Sequence, residues 1–144
     1  VYGSYKFHLE HLGFTFSLDK DETIPILKLD EEAVSEAIVN LVDNAVKYSG
    51  DIKEIKLRTG KENNFTFVEV EDKGIGIPEK DQKKIFEKFF RVSSGNVYNV
   101  KGSGLGLSIV KHIMDAHKGK IDLSSEVGKG SKFKLLFPLN SGKL

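Results

Sequence analysis

Asn40 and Asn44 stand four residues apart in the run Asn40-Leu41-Val42-Asp43-Asn44-Ala45-Val46-Lys47-Tyr48, where apolar positions recur at helical spacing. On a helix this spacing stacks two amide oxygens one turn apart. Neutral, hard oxygens of that kind suit Mg²⁺, which keeps several waters and shares its shell with phosphates. A solvated polar flank is the plain alternative, although asparagine is a mediocre helix former and gains nothing there. A second segment, Asp72-Lys73-Gly74-Ile75-Gly76-Ile77-Pro78, places a carboxylate at the end of an apolar strand. A buried aspartate there can accept a hydrogen bond from an exocyclic amine such as that of adenine, and Gly74 and Gly76 let backbone approach a ligand closely. An ordinary Asp-x-Gly turn would account for much of the same pattern. The third segment, Gly102-Ser103-Gly104-Leu105-Gly106-Leu107, runs into a helix, and bare amides at a helix N-terminus bind anions. It is neither a Walker loop, lacking the Gly-Lys-Ser/Thr ending, nor a dinucleotide fingerprint, because no strand leads into it. A flexible hinge is its plain alternative. Three partial sites in one small chain carry more weight than any one of them.

The elements that must position these residues alternate. A short helix is expected over residues 4–12 and strands over 14–18 and 24–29, with Pro25 marking an edge or a strand start. Asp30 is placed to cap a helix whose first turn holds Glu31 and Glu32, at the positive end of the helix dipole. That helix runs to Ser49, where Gly50 ends it. Along it Val34, Ala37, Ile38, Leu41 and Ala45 make the apolar stripe. Glu36, Asn40, Asn44 and Lys47 share a narrow adjacent stripe, with Tyr48 at the border. Strands follow over 52–59 and 65–71, the second apolar enough to be central. A short helix is expected over 81–90 and a long one over 105–117. A hairpin over 120–125 and 131–137 closes the chain. The pattern reads as an α/β two-layer sandwich, a mixed sheet of about five strands covered on one face by about three helices. No domain linker is visible, so the 144 residues form a single domain.

Composition narrows the functions. Charged residues make up 30% of the chain but sum to a formal +1, so there is no electrostatic footprint for nucleic acid or an acidic membrane surface. With no cysteine, disulfides, thiolate metal sites and a cysteine nucleophile are excluded. No apolar run approaches the ~20 residues of a membrane span, so direct membrane insertion of this domain is not expected.

Taken together, the segments closely resemble the ATP-binding catalytic domain of sensor histidine kinases, in the GHKL (Bergerat-fold) superfamily. The Asn40 run resembles the family's N box, the Asp72 run its G1 box and the Gly102 run its G2 box. Phe86-Glu87-Lys88-Phe89-Phe90-Arg91 resembles the F box between them. The resemblance covers nearly the whole chain. It implies that Asn44, assisted by Asn40, holds Mg²⁺ against the phosphates of ATP (or ADP), with Lys47 near the phosphates and Tyr48 flanking base and sugar. Asp72 would accept from the adenine amino group, with Gly74, Gly76 and Ile77 around it and Phe89 nearby. Lys101, Gly102, Gly104, Leu105, Gly106 and Leu107 would approach the phosphates, mostly through main-chain amides. Arg91 would stabilise the transferring phosphate, a step whose catalysis is mostly positioning and electrostatics. Residues 92–104 would form an ATP lid, mobile without nucleotide, with Val97, Tyr98 and Val100 docking on a helical domain.

One position separates the branches of this superfamily. The ATP-hydrolysing branch carries a glutamate four residues before the metal asparagine, where this chain has Asn40, whose amide is a poor general base. Glu36 lies a full turn further back. The resemblance therefore implies phosphotransfer to a histidine on a dimerisation domain of the same parent protein, and onward to a response regulator. None of His8, His11, His112 and His117 has the acceptor context, so the acceptor helix pair is expected before Val1. A cytoplasmic domain is implied, whether or not the parent is membrane-anchored. His117-Lys118-Gly119 replaces a more usual His-Gly-Gly, a change the fold is expected to tolerate. Two other functions stay open: a serine kinase of the same superfamily, distinguished by an acid-stable phosphate, and a nucleotide-binding sensor without transfer.

Overall fold

The structure, a computed structural model, describes residues 2–25, 27–87 and 106–139. In chain order the elements are α1 (Tyr2–His11), β1 (Thr15–Asp19), α2 (Glu31–Lys47), β2 (Glu54–Glu62), β3 (Phe65–Asp72), a 3₁₀ turn (Glu79–Asp81), α3 (Gly106–Ala116), β4 (Lys120–Glu126) and β5 (Gly130–Pro138). The five strands form one mixed sheet in the order β1-β2-β3-β5-β4. β1 is parallel to β2, with α2 as the crossover, and the other pairings are antiparallel. β3 is the central strand, as its apolar content implies.

One sheet face carries Ile55 and Leu57 of β2, Val70 of β3, and Phe133, Leu135 and Phe137 of β5 into the core. Against them α2 buries Ala37, Leu41, Val42 and Ala45, and α3 buries Val110, Ile113 and Met114. Truncating a fully buried side chain such as Leu41 in a core of this kind costs about 2–5 kcal/mol. Asp30 caps α2 as expected: its Oδ1 accepts from the Ala33 amide at 3.1 Å, satisfying one of the helix's orphan donors.

Among the described residues the opposite face has no helical layer, yet Phe67 and Glu69 on it are buried. Register explains this. Arg58, Glu69 and Lys134 stand side by side on β2, β3 and β5. Arg58 donates to the Glu69 carboxylate from Nε at 3.1 Å, and Lys134 bonds Glu62 at 3.0 Å. Both cations also lie over the Phe67 ring, at 5.2 Å for Arg58 and 4.5 Å for Lys134. Long basic side chains thus cover the aromatic ring with their stems and meet the carboxylates with their heads. The ring itself occupies the space above Gly60, where a Cβ would come within 2.6 Å of it.

Three expectations are corrected. Residues 24–29 form no strand among the described residues. Asp21 turns the chain by accepting from the Thr23 amide and hydroxyl, while its own amide donates to Thr59 Oγ1. Leu27 and Leu29 then reach the core without pairing. Residues 81–90 do not make an α-helix over their described part. A single 3₁₀ turn, Glu79–Asp81, leads into further turns, because the Gln82 side chain and buried Asp81 and Ile85 bind this segment to the rest of the fold. α2 stops at Lys47, with Tyr48 as its C-cap rather than Gly50. The expected lid lies outside the described residues, and among them no helix is long and apolar enough to cross a membrane.

α3 ends in the doubly bonded turn that usually calls for glycine. The Gly119 amide donates to Met114 O at 2.9 Å and the Lys118 amide to Asp115 O at 3.1 Å, the Schellman pattern with Lys118 at the left-handed position. Lys118 has φ +57°. The His-Lys-Gly variation is accommodated at the cost of holding a Cβ there, about 1 kcal/mol. Lys118→Gly should therefore raise stability by up to about 1 kcal/mol, offset in part by the extra chain entropy of glycine. A denaturant midpoint that stayed put or fell would contradict this.

Candidate functional site

Asp72 ends the central strand, opposite Ser131 in the β3–β5 register. Its Oδ1 accepts from the Gly74 amide at 2.8 Å and the Ser131 amide at 3.3 Å, which fixes the carboxyl plane. Among the described residues Oδ2 has no partner, so it is the oxygen left for a ligand. Burial pushes the Asp72 carboxyl up to about 6; the two amide bonds oppose the rise and the Glu71 carboxylate adds to it.

The loop after Asp72 is held by contacts that exclude side chains. A Cβ on Gly74 would collide with Tyr48 O, and one on Gly76, at φ +77°, with Glu126 O. The Ile75 amide donates to Tyr48 O at 3.0 Å, and the Gly128 amide to Ile75 O at 2.8 Å. The end of α2, the loop and the β4–β5 turn are thereby joined. A Cβ on Gly130, at φ +110°, would strike Asp72 O, so the turn must also bring bare backbone against the end of β3.

These contacts enclose a cleft of about 450 Å³, counting its open mouth, lined by Asn44, Tyr48, Asp72, Gly76, Ile77, Ile85, Leu107 and Ser131. Asn44, Tyr48, Asp72, Gly76, Ile77 and Leu107 were all expected from the sequence, and the fold brings them together from α2, the Asp72 loop and α3. Gly74 backs the cleft without lining it. Asn40 lies one turn up α2, where its Nδ2 donates to Glu36 O at 3.0 Å. That bond fixes the amide orientation, and its Oδ1 would lie 3.3 Å from a Cβ on Gly106, the first residue of α3. The asparagine stripe and the glycine-led helix therefore meet. Lys47 is exposed at the end of α2 and does not line the cleft. Phe89, Arg91, Lys101, Gly102, Gly104 and Leu105 lie outside the described residues.

Sequence reasoning missed Ile85, Ser131 and the bonds behind them. Ser125 Oγ accepts from the Ile77 amide at 2.8 Å, contacts Gly130 O at 3.1 Å and lies 2.7 Å from Ser131 Oγ. A carbonyl can only accept, so the Ser125 proton goes to Gly130 and Ser131 must donate to Ser125. The Ser131 oxygen then offers only lone pairs to the cleft. Gln82 Nε2 donates to Ile77 O at 3.0 Å and Ser125 O at 3.2 Å, tying the segment before residue 88 to the same loop. Only the pairing of β4 with β5 and of β5 with β3 reveals this network; no local motif marks it.

The side chains at the base of the cleft are thus acceptors: Asp72 Oδ2 and Ser131 Oγ. They suit a planar ligand with an exocyclic amine between the flat apolar surfaces of Ile77, Ile85 and Leu107. For a metal, no three His, Asp or Glu residues converge among the described residues. The donors present are the amide oxygens of Asn40 and Asn44, which fit Mg²⁺ only if phosphates and waters complete its shell.

A mixed five-stranded sheet, helices on one face and a cleft between α2, α3 and the Asp72 loop define a nucleotide-binding domain of the Bergerat type. Residues 29–141 match the family described as "Histidine kinase-, DNA gyrase B-, and HSP90-like ATPase". The chain belongs to that family, and its relatives place it among the catalytic domains of sensor histidine kinases. It is 38% identical to the sensor protein RprX of Bacteroides fragilis over 141 residues, covering 96% of this chain and 27% of RprX. It is 36% identical to the signal transduction histidine-protein kinase ArlS of Staphylococcus aureus over 127 residues, covering 88% of this chain and 28% of ArlS. The chain therefore spans little more than a quarter of these curated relatives. Its fold superposes on the catalytic domain of histidine kinase ThkA with a TM-score of 0.79 at 29% identity, covering 95% of this chain and 88% of that one.

The raised Asp72 carboxyl makes a signed prediction. Its value in the folded chain, about 6, lies above the ordinary 3.8, so between those values the folded state binds more protons than the unfolded one. Stability is then lost as pH rises through this window, on the order of 3 kcal/mol in total. In Asp72→Asn the amide oxygen can still accept from Gly74 and Ser131, and nothing titrates. The variant should gain stability relative to the parent between pH 4 and pH 7, by on the order of 2–3 kcal/mol. Urea unfolding at the two pH values measures the gap; a gap that stays constant or narrows contradicts the assignment.

Proposed function

We propose that this domain binds Mg-ATP and donates the terminal phosphate to a histidine on a separate dimerisation domain of its parent protein. The phosphate then passes to a response regulator. One observation carries this reading: a cleft holding two side-chain acceptors, Asp72 Oδ2 and Ser131 Oγ, continues to Asn44 and Leu107, next to the contact between Asn40 and the start of α3. Adenine fits the first part, since its exocyclic amine meets Asp72 Oδ2, and burial makes that bond selective. The triphosphate then runs toward α3, whose N-terminal amides and dipole favour anions.

Asn40 and Asn44 would hold the Mg²⁺, which when bound neutralises phosphate charge. The chain's own contribution is positioning. Asn40 is held by its bond to Glu36 O, Tyr48 flanks the base and sugar, and Lys47 at the helix end adds positive charge near the phosphates. Arg91 and the residues 101–105 are proposed to complete the phosphate contacts. At the position where a hydrolase would carry a base stands the amide of Asn40, which cannot take a proton from water. That favours transfer to another protein over hydrolysis. The relatives' names, a sensor protein and a signal transduction kinase, support the same reading. A cytoplasmic location, with the parent anchored or not, follows from it as part of the proposal.

The domain is to be mixed with a dimeric helical domain bearing the acceptor histidine and with labelled Mg-ATP. Label is expected on the acceptor, lost in acid and kept in base. Asn44→Ala should abolish it while leaving adenosine affinity within about twofold, since the adenine contacts are separate from the metal. Label that survives acid, or equal transfer by Asn44→Ala, would overturn the proposal.

A further inference from the structure

His117 lies just beyond α3, outside every nucleotide motif, yet it bonds two elements at once. Its Nδ1 stands 2.9 Å from Ile113 O, and its Nε2 stands 3.1 Å from the Asp30 amide. A carbonyl oxygen can only accept and a backbone amide can only donate, so in this arrangement Nδ1 carries the proton and Nε2 accepts. The ring also packs edge-on against Phe137, with centroids 6.0 Å apart. The imidazole thus joins the end of α3 to the residue that caps α2.

The consequence lies at the other end of the same two helices. Asp30 begins α2 and Asn40 follows ten residues later, about 15 Å along the axis. α3 runs from Gly106 to Ala116, a similar length, in the opposite sense: Gly106 meets Asn40 at one end and His117 meets Asp30 at the other. The Gly106 contact is a close approach without a side chain, which limits how near the helices come but not how far α3 slides or turns. A bond at the far end supplies the second fixed point. The two helices carry different halves of the phosphate side, amide oxygens on α2 and the anion-attracting N-terminus on α3. The base side depends on that bond far less: Asp72 is held by Gly74 and Ser131, and of the apolar residues around the base only Leu107 belongs to α3.

The geometry points to His117 as a positioning residue for the phosphate and metal half of the site: by bonding the Asp30 amide it sets the register of α3 against α2. This rests on the proposed function and deepens it. His117 touches no ligand, so its loss should separate two affinities that a general loss of stability would move together.

Affinities for Mg-ATP and for adenosine are to be measured calorimetrically on the intact chain, with thermal unfolding alongside. His117→Phe keeps the ring against Phe137 and removes both nitrogens. It should weaken Mg-ATP by about tenfold, the scale of one hydrogen bond's alignment, and leave adenosine within about twofold. His117→Gln, whose Oε1 can stand in for Nε2, should recover most of the loss. If the Phe variant does not fold, His117→Asn, which keeps a donor for Ile113 but no acceptor for Asp30, is read in the same way. Unchanged Mg-ATP affinity, or equal weakening of both ligands, would overturn the assignment. A parent chain binding Mg-ATP no more tightly than adenosine would instead overturn the proposed function, before any His117 variant is considered.

Discussion

A buried carboxylate at the end of the central strand is the constraint around which the site is built. Left alone, Asp72 would be costly to bury in its charged form. It is tolerable because two backbone amides converge on one oxygen, and each comes from a segment that only a particular register can deliver. The Ser131 amide requires β5 to pair with β3 in the observed register. The Gly74 amide requires a turn so tight that a side chain would strike Tyr48 O. Strand pairing, glycine placement and the end of α2 are therefore requirements of one carboxyl group as much as of the fold.

Much of the remaining charge is paired on the other side of the sheet from that site. The uncovered sheet face holds its own acids and bases in cross-strand rungs, Arg58–Glu69 and Lys134–Glu62, over Phe67. These pairs neutralise one another on the far side of the sheet and cover an aromatic surface that would otherwise be open. On the helical side, the described lining of the cleft holds a single buried acid, Asp72, and one neutral amide, Asn44. In a chain of near-zero net charge, amide side chains and a helix terminus thus stand beside the cleft in place of a basic patch.

Much of this was legible in the sequence, for identifiable reasons. The amphipathic stripe of α2 and the apolar run of β3 are local patterns, and both elements appear where the periodicity puts them. The asparagine pair, Asp72 and the glycines after it are also local, and the fold gathers them with Leu107 into one cleft. What escaped is non-local or depends on side chains opposing propensity. Ser125 and Ser131 are unremarkable serines until β4 and β5 pair. Gln82 falls within the helix expected over 81–90, but its amide is drawn to Ile77 and Ser125 and the described part of that helix gives way to turns. Residues 24–29 have strand composition, but Asp21 turns the chain and Leu27 and Leu29 go to the core instead of pairing. His117 reads as the last residue of the helix over 105–117, and only the packing of α3 on α2 shows what its two nitrogens do.

The central claim is that two acceptors in the cleft, Asp72 and Ser131, select a purine by its exocyclic amine. Calorimetric titration of the intact chain with Mg-ATP and with Mg-ITP, which differ at that purine position in presenting an amine or a carbonyl, tests it most directly. The account predicts that Mg-ITP binds weaker by about a hundredfold or more, because its carbonyl would face two acceptors and leave both unpaired. Equal affinities for the two nucleotides would contradict it.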